Sequence, residues 1–564
     1  DTERYRLLAE ENRVNIRILP PQRGLIFDKT GKLIANNQQN YRVVIIREDA
    51  GDIKKVLTDL SKLIPISKEK RDLIEQDIKK FRAFVPVTVV EDISWEQFAK
   101  VAANLPSLPG LVPEVGSSRA YKENEALAHI VGYVGPISKK DKERLSETNP
   151  LFQMPDFQIG KTGIERELNA ELMGTAGVSK SEVNARGRIM RELDRNDSKS
   201  GLDIQVTINT GLQKFSMARM KGLSASAVVL EIKTGNIIAM SSTPSFNPNT
   251  LVNGISTKEW TRLLDDVKRP LSNKSVSDAY PPGSLFKMIV AITALEKQII
   301  SDHEEIFCSG LYETTASKHH CWLSSGHGNI NLNKGLKRSC DVYFYDIAQR
   351  VGINAIARTA KAFGLSSTFG LPVSAVSRGL IPDKEWKKSV YNERWLLGDT
   401  LNAGIGQGYI LTTPMQVAVM TARIASGKKI VPRLINAKGG KIIPIPVISS
   451  TTVMKITTKA LFFFIFCPSF IFRGLNSRAS VIEARLASLF LMPALIRIPV
   501  KVSPFLNLTC FFKVVLIMGS LELTVGFLKL KGCSIAAAMG FPSENGANDS
   551  EGGFLEKGSF VVLV

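Results

Sequence analysis

Cysteine is scarce in this 564-residue chain: six in all, three of them (Cys308, Cys321 and Cys340) in one stretch. That scarcity excludes a disulfide framework as the source of stability. It leaves a hydrophobic core, for which 44% apolar residues suffice. No C2H2 zinc-finger spacing, RNP-like aromatic strand or helix-turn-helix pattern is present, so nucleic acid is not expected as a partner. The basic excess, a net charge of +20, then fits an anionic membrane surface, an acidic polymer or simply a solvated lysine-rich face. No signal peptide or apolar span opens the chain, and "DTERYRLLAEENRVN" reads as a polar helix. The oddest shortage is at the other end. Residues 446–564 hold 14 of the 27 Phe yet no Trp, Tyr, His or Gln. Their apolar runs, "ALFFFIFCPSFIF" and "FLNLTCFFKVVLIMGSLELTVGFL", are too short or too interrupted by Pro, Asn, Lys and Glu to span a membrane. Such a tail reads as translation out of frame and poorly ordered, or as an unusual C-terminal extension.

What is present falls into an α+β pattern. "RGLIFDKTGKLIANNQQNYRVVII" predicts strand, a turn at Lys29–Gly31, and strand again. Asp52 to Phe81 and Ser94 to Ala103 predict short amphipathic helices. Ser-Gly turn chemistry at 200–201 marks a boundary, followed by a strand from Asp203 and a helix from about Gly211. Ala227–Ile232 and Ile237–Ser241 flank Lys233-Thr234-Gly235-Asn236, a β-hairpin with a Gly-Asn turn. Helical patterns dominate from Pro281 to about Gly427.

Gly160-Lys161-Thr162-Gly163 invites a phosphate-loop reading, but Pro155 stands where the first glycine must be. Proline can supply neither the positive φ nor the N–H. The stronger chemistry is "YPPGSLFKMIVAITALEKQ". Pro-Pro-Gly stops the preceding chain, Ser284 opens a helix, and Lys287 lies one turn on, within reach of the Ser284 hydroxyl. A serine at a helix N-terminus also has backbone N–H groups to stabilise an oxyanion. A lysine with a lowered pKa can take the hydroxyl proton. Ser-x-x-Lys by itself is weak, since Ser67…Lys70 and Ser426…Lys429 spell it too. At "LKRSCDVYFYDIA", Ser339-Cys340-Asp341 opens another apolar helix and by itself reads as a cap.

Taken together, these elements follow the order of penicillin-reactive acyl-serine transferases: Ser-x-x-Lys, Ser-x-Asn or a variant, then Lys-[Thr/Ser]-Gly. With "QRGLIFDKTGKLIA" (22–35), "GKTGIERELN" (160–169), "EVNARGR" (182–188), "YPPGSLFK" (280–287), "SCDVYFY" (339–345) and "GIGQGYILTTPMQVA" (404–418), the chain resembles class B penicillin-binding proteins, of the penicillin-binding protein 2 group of rod-shape elongation. The resemblance implies a pedestal (dimerisation-like) domain over residues 1–200. A penicillin-binding, β-lactamase-like transpeptidase domain would fill 201–445, incomplete at its C-terminus, before the tail at 446–564. It implies Ser284 as the acylated nucleophile, Lys287 as its base, and Ser339 with Asp341 as proton relay and substrate contacts. The reaction would be a peptidoglycan D,D-transpeptidation of stem peptides, open to β-lactams. The site would face the periplasmic side of the bacterial inner membrane, held by an N-terminal anchor outside this chain. A SEDS-family glycosyltransferase and other elongation-complex proteins would be partners. The pedestal motifs argue against a penicillin sensor, a D,D-carboxypeptidase or a β-lactamase.

One departure stands out: after Tyr409 the chain contains no Lys-Thr-Gly or Lys-Ser-Gly. A frameshifted product or an inactive scaffold is therefore the rival expectation. A metal is the other open expectation. Cys308, Cys321, His327 and Cys340 offer three thiolates and an imidazole, a donor set that suits zinc. A Cys308–Cys321 disulfide or unpaired core cysteines are the alternatives. Some relatives in the resembled group hold zinc near the active site through a mixed Cys/Asp/His set. His319 and His320 read as loop residues.

Overall fold

The computed structural model describes residues 14–446, apart from 81–82, 84–85, 146–148, 155–156, 184–188, 253 and 316, together with Val514–Ile517 and Phe560–Leu563. The first turn forms for a local reason. The Asp28 Oδ1 accepts from the N–H groups of Thr30 (2.7 Å) and Lys32 (2.9 Å), folding Ile26–Phe27 back against Leu33–Ile45. Asp52 and Ser94 cap the helices Ile53–Leu63 and Trp95–Ala103. With Lys68–Lys80, these helices cover the strands Leu33–Ile45, Val87–Ile93 and Leu111–Tyr121 around a separate small core that includes Val43, Ile45, Leu57, Leu60 and Val101.

The boundary expected near residue 200 is bridged by a sheet. Ile204–Val206 pairs in parallel with Ile26–Phe27 on one side and antiparallel with Ile435–Lys438 on the other. One mixed sheet of seven strands therefore runs from the pedestal into the second domain. Beneath it lies the main core, which draws on Ile26, Ile130 and Leu172 from the first part and Ile289, Phe344 and Val417 from the second. A buried carboxylate ties the pedestal together: Glu165 meets Arg23 at 2.6 Å and Arg119 at 2.8 Å. Burial raises its pKa, but Arg119 and Arg23 outweigh that and hold it below the usual range. The nearby Gly160–Gly163 turn belongs to this scaffold. Lys161 pairs with Asp141, and the Gly163 N–H donates to Ser374 Oγ of the second domain.

The hairpin Ala225–Glu231/Ile237–Thr243 is present as the sequence predicts, with Gly235 at φ 76° in its turn. Helices pack against it; Pro414–Ser426 is buried on every face as far as Ile424, mostly apolar, with its buried Gln416, Thr421 and Arg423 donating to backbone carbonyls. Two short strands from the tail extend this hairpin: Phe560–Leu563 pairs with Ala225–Glu231, and Val514–Ile517 pairs with Phe560–Leu563. The remainder of the tail lies outside the described residues. Among those described, no helix is long and apolar enough to cross a membrane.

Candidate active site

Pro281 and Pro282 have no N–H to give a helix, and Gly283 turns the chain at φ 57°. The chain then enters the helix through a tight 3₁₀ turn, Gly283–Phe286, which runs directly into Lys287–Glu296. Ser284 therefore sits on that turn, one step earlier and more tightly wound than the α-helical start its sequence predicts. The turn is held from outside. The Gly283 N–H donates to the Gly406 carbonyl at 3.0 Å, and Tyr280 exchanges both backbone bonds with Thr412. Gly406 has φ 71°, and a Cβ there would lie 2.1 Å from the Gly283 oxygen, so only glycine fits.

The second element is not the cap it resembles. After the helix Leu332–Lys337, Ser339 adopts φ 52°, in the left-handed region usually left to glycine. Backbone bonds from Ser339 to Leu336 and from Cys340 to Gly335 hold it there. Asp341–Val351 then begins with no side-chain cap. The left-handed turn aims the Ser339 hydroxyl at Ser284, and its Oγ donates to Ser284 Oγ at 2.7 Å. Lys287, 1% exposed, donates from Nζ to Ser339 Oγ (3.1 Å), the Ser339 carbonyl (2.9 Å) and Asp341 Oδ1 (2.7 Å).

All four residues singled out by sequence thus meet in one cluster, wired differently from expectation. The Ser284 hydroxyl is met by Ser339, and Lys287 stands one step behind, drawn aside by Asp341. Sequence reasoning missed Trp322. Its backbone N–H donates to the other Asp341 oxygen at 3.0 Å, and its indole N–H reaches the Ser339 carbonyl at 3.1 Å. The signal was its place directly after Cys321.

The candidate metal ligands also converge. One donor atom from each of Cys308, Cys321, His327 and Cys340 lies within 4.8 Å of the others, and the three cysteines are buried free thiols. His327 Nδ1 is 3.6 Å from Cys308 Sγ and 3.5 Å from Cys321 Sγ. The Cys340 thiol, donating to Cys321, draws that thiol down to about 4 against the effect of burial, while Cys340 is pushed up. His319 and His320 lie in the short strand Lys318–His320, not a loop, paired with Leu311–Glu313.

Comparison with known proteins finds two matched domains. Residues 18–206 match the penicillin-binding protein dimerisation domain, and residues 225–460 match the penicillin-binding protein transpeptidase domain. The chain is 33% identical over 443 residues to peptidoglycan D,D-transpeptidase MrdA of Haemophilus influenzae, covering 78% of this chain and 68% of that one. It is also 33% identical over 453 residues to MrdA of Escherichia coli K12, covering 78% and 70%. Its fold is similar to penicillin-binding protein 2 of Helicobacter pylori, solved in complex with MreC, with a TM-score of 0.77 over 98% of this chain and 94% of that one at 24% identity. A dimerisation domain followed by a transpeptidase domain, the latter holding a serine, a lysine and a second hydroxyl in hydrogen-bonded series, and the likeness to MrdA show that the chain belongs to the penicillin-binding protein family of serine-type peptidoglycan D,D-transpeptidases.

Proposed function

We propose that this chain cross-links peptidoglycan stem peptides through an ester on Ser284. One observation carries the assignment: the unbroken series Ser284 Oγ, Ser339 Oγ and Lys287 Nζ. With Lys287 as the free amine, its nitrogen takes the Ser339 proton as Ser339 takes that of Ser284. The Ser284 oxygen attacks the carbonyl of the penultimate D-alanine, and the peptide C–N bond breaks. The proton returns through Ser339 to the departing D-alanine amine. A stem-peptide amine from a second strand then attacks the ester, loses its proton along the same path, and frees Ser284. Asp341 steadies the Lys287 ammonium between these steps, and Trp322 holds Asp341. A β-lactam carbonyl meets the same nucleophile.

Covalent labelling with a fluorescent penicillin tests this. Labelling of the wild-type chain that vanishes in Ser284→Ala is the expected outcome, and labelling that survives the substitution would overturn it. An inactive scaffold is favoured by a single observation, the lack of Lys-Thr-Gly or Lys-Ser-Gly after Tyr409. It predicts no labelling of wild type at all.

Zinc is part of the proposal. Zinc bonds of about 2.3 Å to sulfur and about 2.0–2.1 Å to nitrogen at a tetrahedral angle separate the two donors by roughly 3.5 Å. The spacing of His327 Nδ1 from both thiols agrees. Cys308, Cys321, His327 and Cys340 would hold the ion, which would supply a rigid anchor for Cys321 and Cys340, the neighbours of Trp322 and of Ser339 and Asp341. Elemental analysis of purified protein should give one zinc per chain, and Cys308→Ser should lower it. A metal-free chain with intact fold would end the zinc assignment. The site is further proposed to work on the periplasmic face of the inner membrane, beside a SEDS-family glycosyltransferase. The MreC complex of the Helicobacter pylori protein supports elongation-complex partners.

A further inference from the structure

Beside the nucleophile stands an aromatic shelf that the acyl-transfer chemistry does not use. Trp386, Tyr391 and Trp395 gather around Tyr409, with ring centroids 5.2, 5.7 and 6.4 Å from its own. Tyr409 belongs to the segment that braces the Ser284 turn, between Gly406 against Gly283 and Thr412 against Tyr280. Three residues of chain reach at most about 11 Å, so the shelf begins close to the nucleophile.

The shelf is open and firmly mounted. Tyr391 and Leu396 are each 50% exposed, with Val390 and Leu397 exposed beside them. Lys387 is buried beneath, pairing with Asp399 at 2.7 Å and placing Nζ 5.6 Å from the centre of the Tyr409 ring. Trp395 donates its indole N–H to Thr400 at 2.8 Å, and the Leu396 N–H is held by Asp399. An exposed cluster of aromatic and aliphatic side chains fixed in this way is a binding surface more than a loop left in water.

We infer that this shelf binds the glycan backbone of the substrate, a reading that rests on the transpeptidase assignment. A pyranose ring has an apolar C–H face and a polar rim. It matches aromatic faces bordered by exposed polar groups, here Asn392, Glu393, Arg394 and Gln407. Nearness supports the same ligand. A stem peptide of five residues spans at most roughly 17 Å, so a strand whose peptide acylates Ser284 keeps its sugars within reach of Tyr409.

Titrating the full chain with soluble glycan strands stripped of stem peptides, followed by tryptophan fluorescence, tests the shelf. Saturable binding is expected in wild type, weakened about fivefold in Tyr391→Ala, as for a lost aromatic contact, and retained in Tyr391→Phe. Leu396→Ala, also at an exposed position, should weaken it as well. No binding in wild type, or equal binding in Tyr391→Ala, would overturn the inference. So would self-association in sedimentation that Tyr391→Ala abolishes, which assigns the shelf to a second copy. Penicillin labelling of wild type judges the Ser284 reading separately, so either can fail alone.

Discussion

Ser339 shows what a single residue trades. A left-handed non-glycine conformation costs on the order of 1–2 kcal/mol, and here it directs a hydroxyl at Ser284. Glycine would relax the turn and remove the hydroxyl. Ser339→Gly should therefore raise the unfolding free energy by up to about 1 kcal/mol while slowing penicillin acylation by about 10²–10⁴-fold, the worth of a general-base path. Denaturant melts and labelling rates on one preparation check both signs; a loss of stability alongside the slowed rate would refute the trade. The residue types were legible in the sequence, since Ser-x-x-Lys and Ser-Cys-Asp are local spellings. The order of the hydrogen bonds was not, because it depends on a positive φ and on Asp341 pulling Lys287 aside across 54 positions of sequence.

Among the elements, those with their own signals came out as their sequences suggest. Pro414–Ser426 has Thr413 and Gln416 in a capping box, proline at its start and Gly427 left-handed at its end. Thr413→Ala should cost about 1 kcal/mol and leave penicillin labelling intact. The segment before it, "GIGQG", carries no periodicity, and its role appears only when Gly406 is found against Gly283. Gly406→Ala forces a side chain onto the Gly283 carbonyl at a positive φ. It should destabilise by about 3 kcal/mol or more and abolish labelling. A fully labelled Gly406→Ala protein would show that the brace is dispensable. The short strands at 514–517 and 560–563 had no legible pattern, since pairing with Ala225–Glu231 is a tertiary event.

At the scale of the molecule, the two parts are joined more closely than a boundary at residue 200 suggests. His129, buried in the first part, packs edge-on against Phe246 of the second, and its carbonyl accepts from Asn273. Burial, aided by Lys274, pulls its pKa down from 6.5 to about 4. The unfolded chain therefore takes up a proton first as pH falls. Stability is full above about pH 6.5 and falls by on the order of 3 kcal/mol as the pH drops to about 4. Urea melts across that range should show the decline, and His129→Leu should flatten it. An unchanged slope would place the acid sensitivity elsewhere, and not at Glu165, whose lowered pKa removes stability only below the ordinary carboxylate value of 4.5. The three-residue strand Ile204–Val206 was foreseen, but its partners were not, because they lie far off along the chain in both directions. That arrangement has a consequence during synthesis. The strand can take its first neighbour, Ile26–Phe27, as soon as it emerges, but must wait about 230 residues for Ile435–Lys438. Until then the growing chain carries an open sheet edge, the kind of surface on which nascent proteins misassociate. A product that stops short of residue 435 would keep that edge permanently, so early truncations should aggregate even when the pedestal itself has folded.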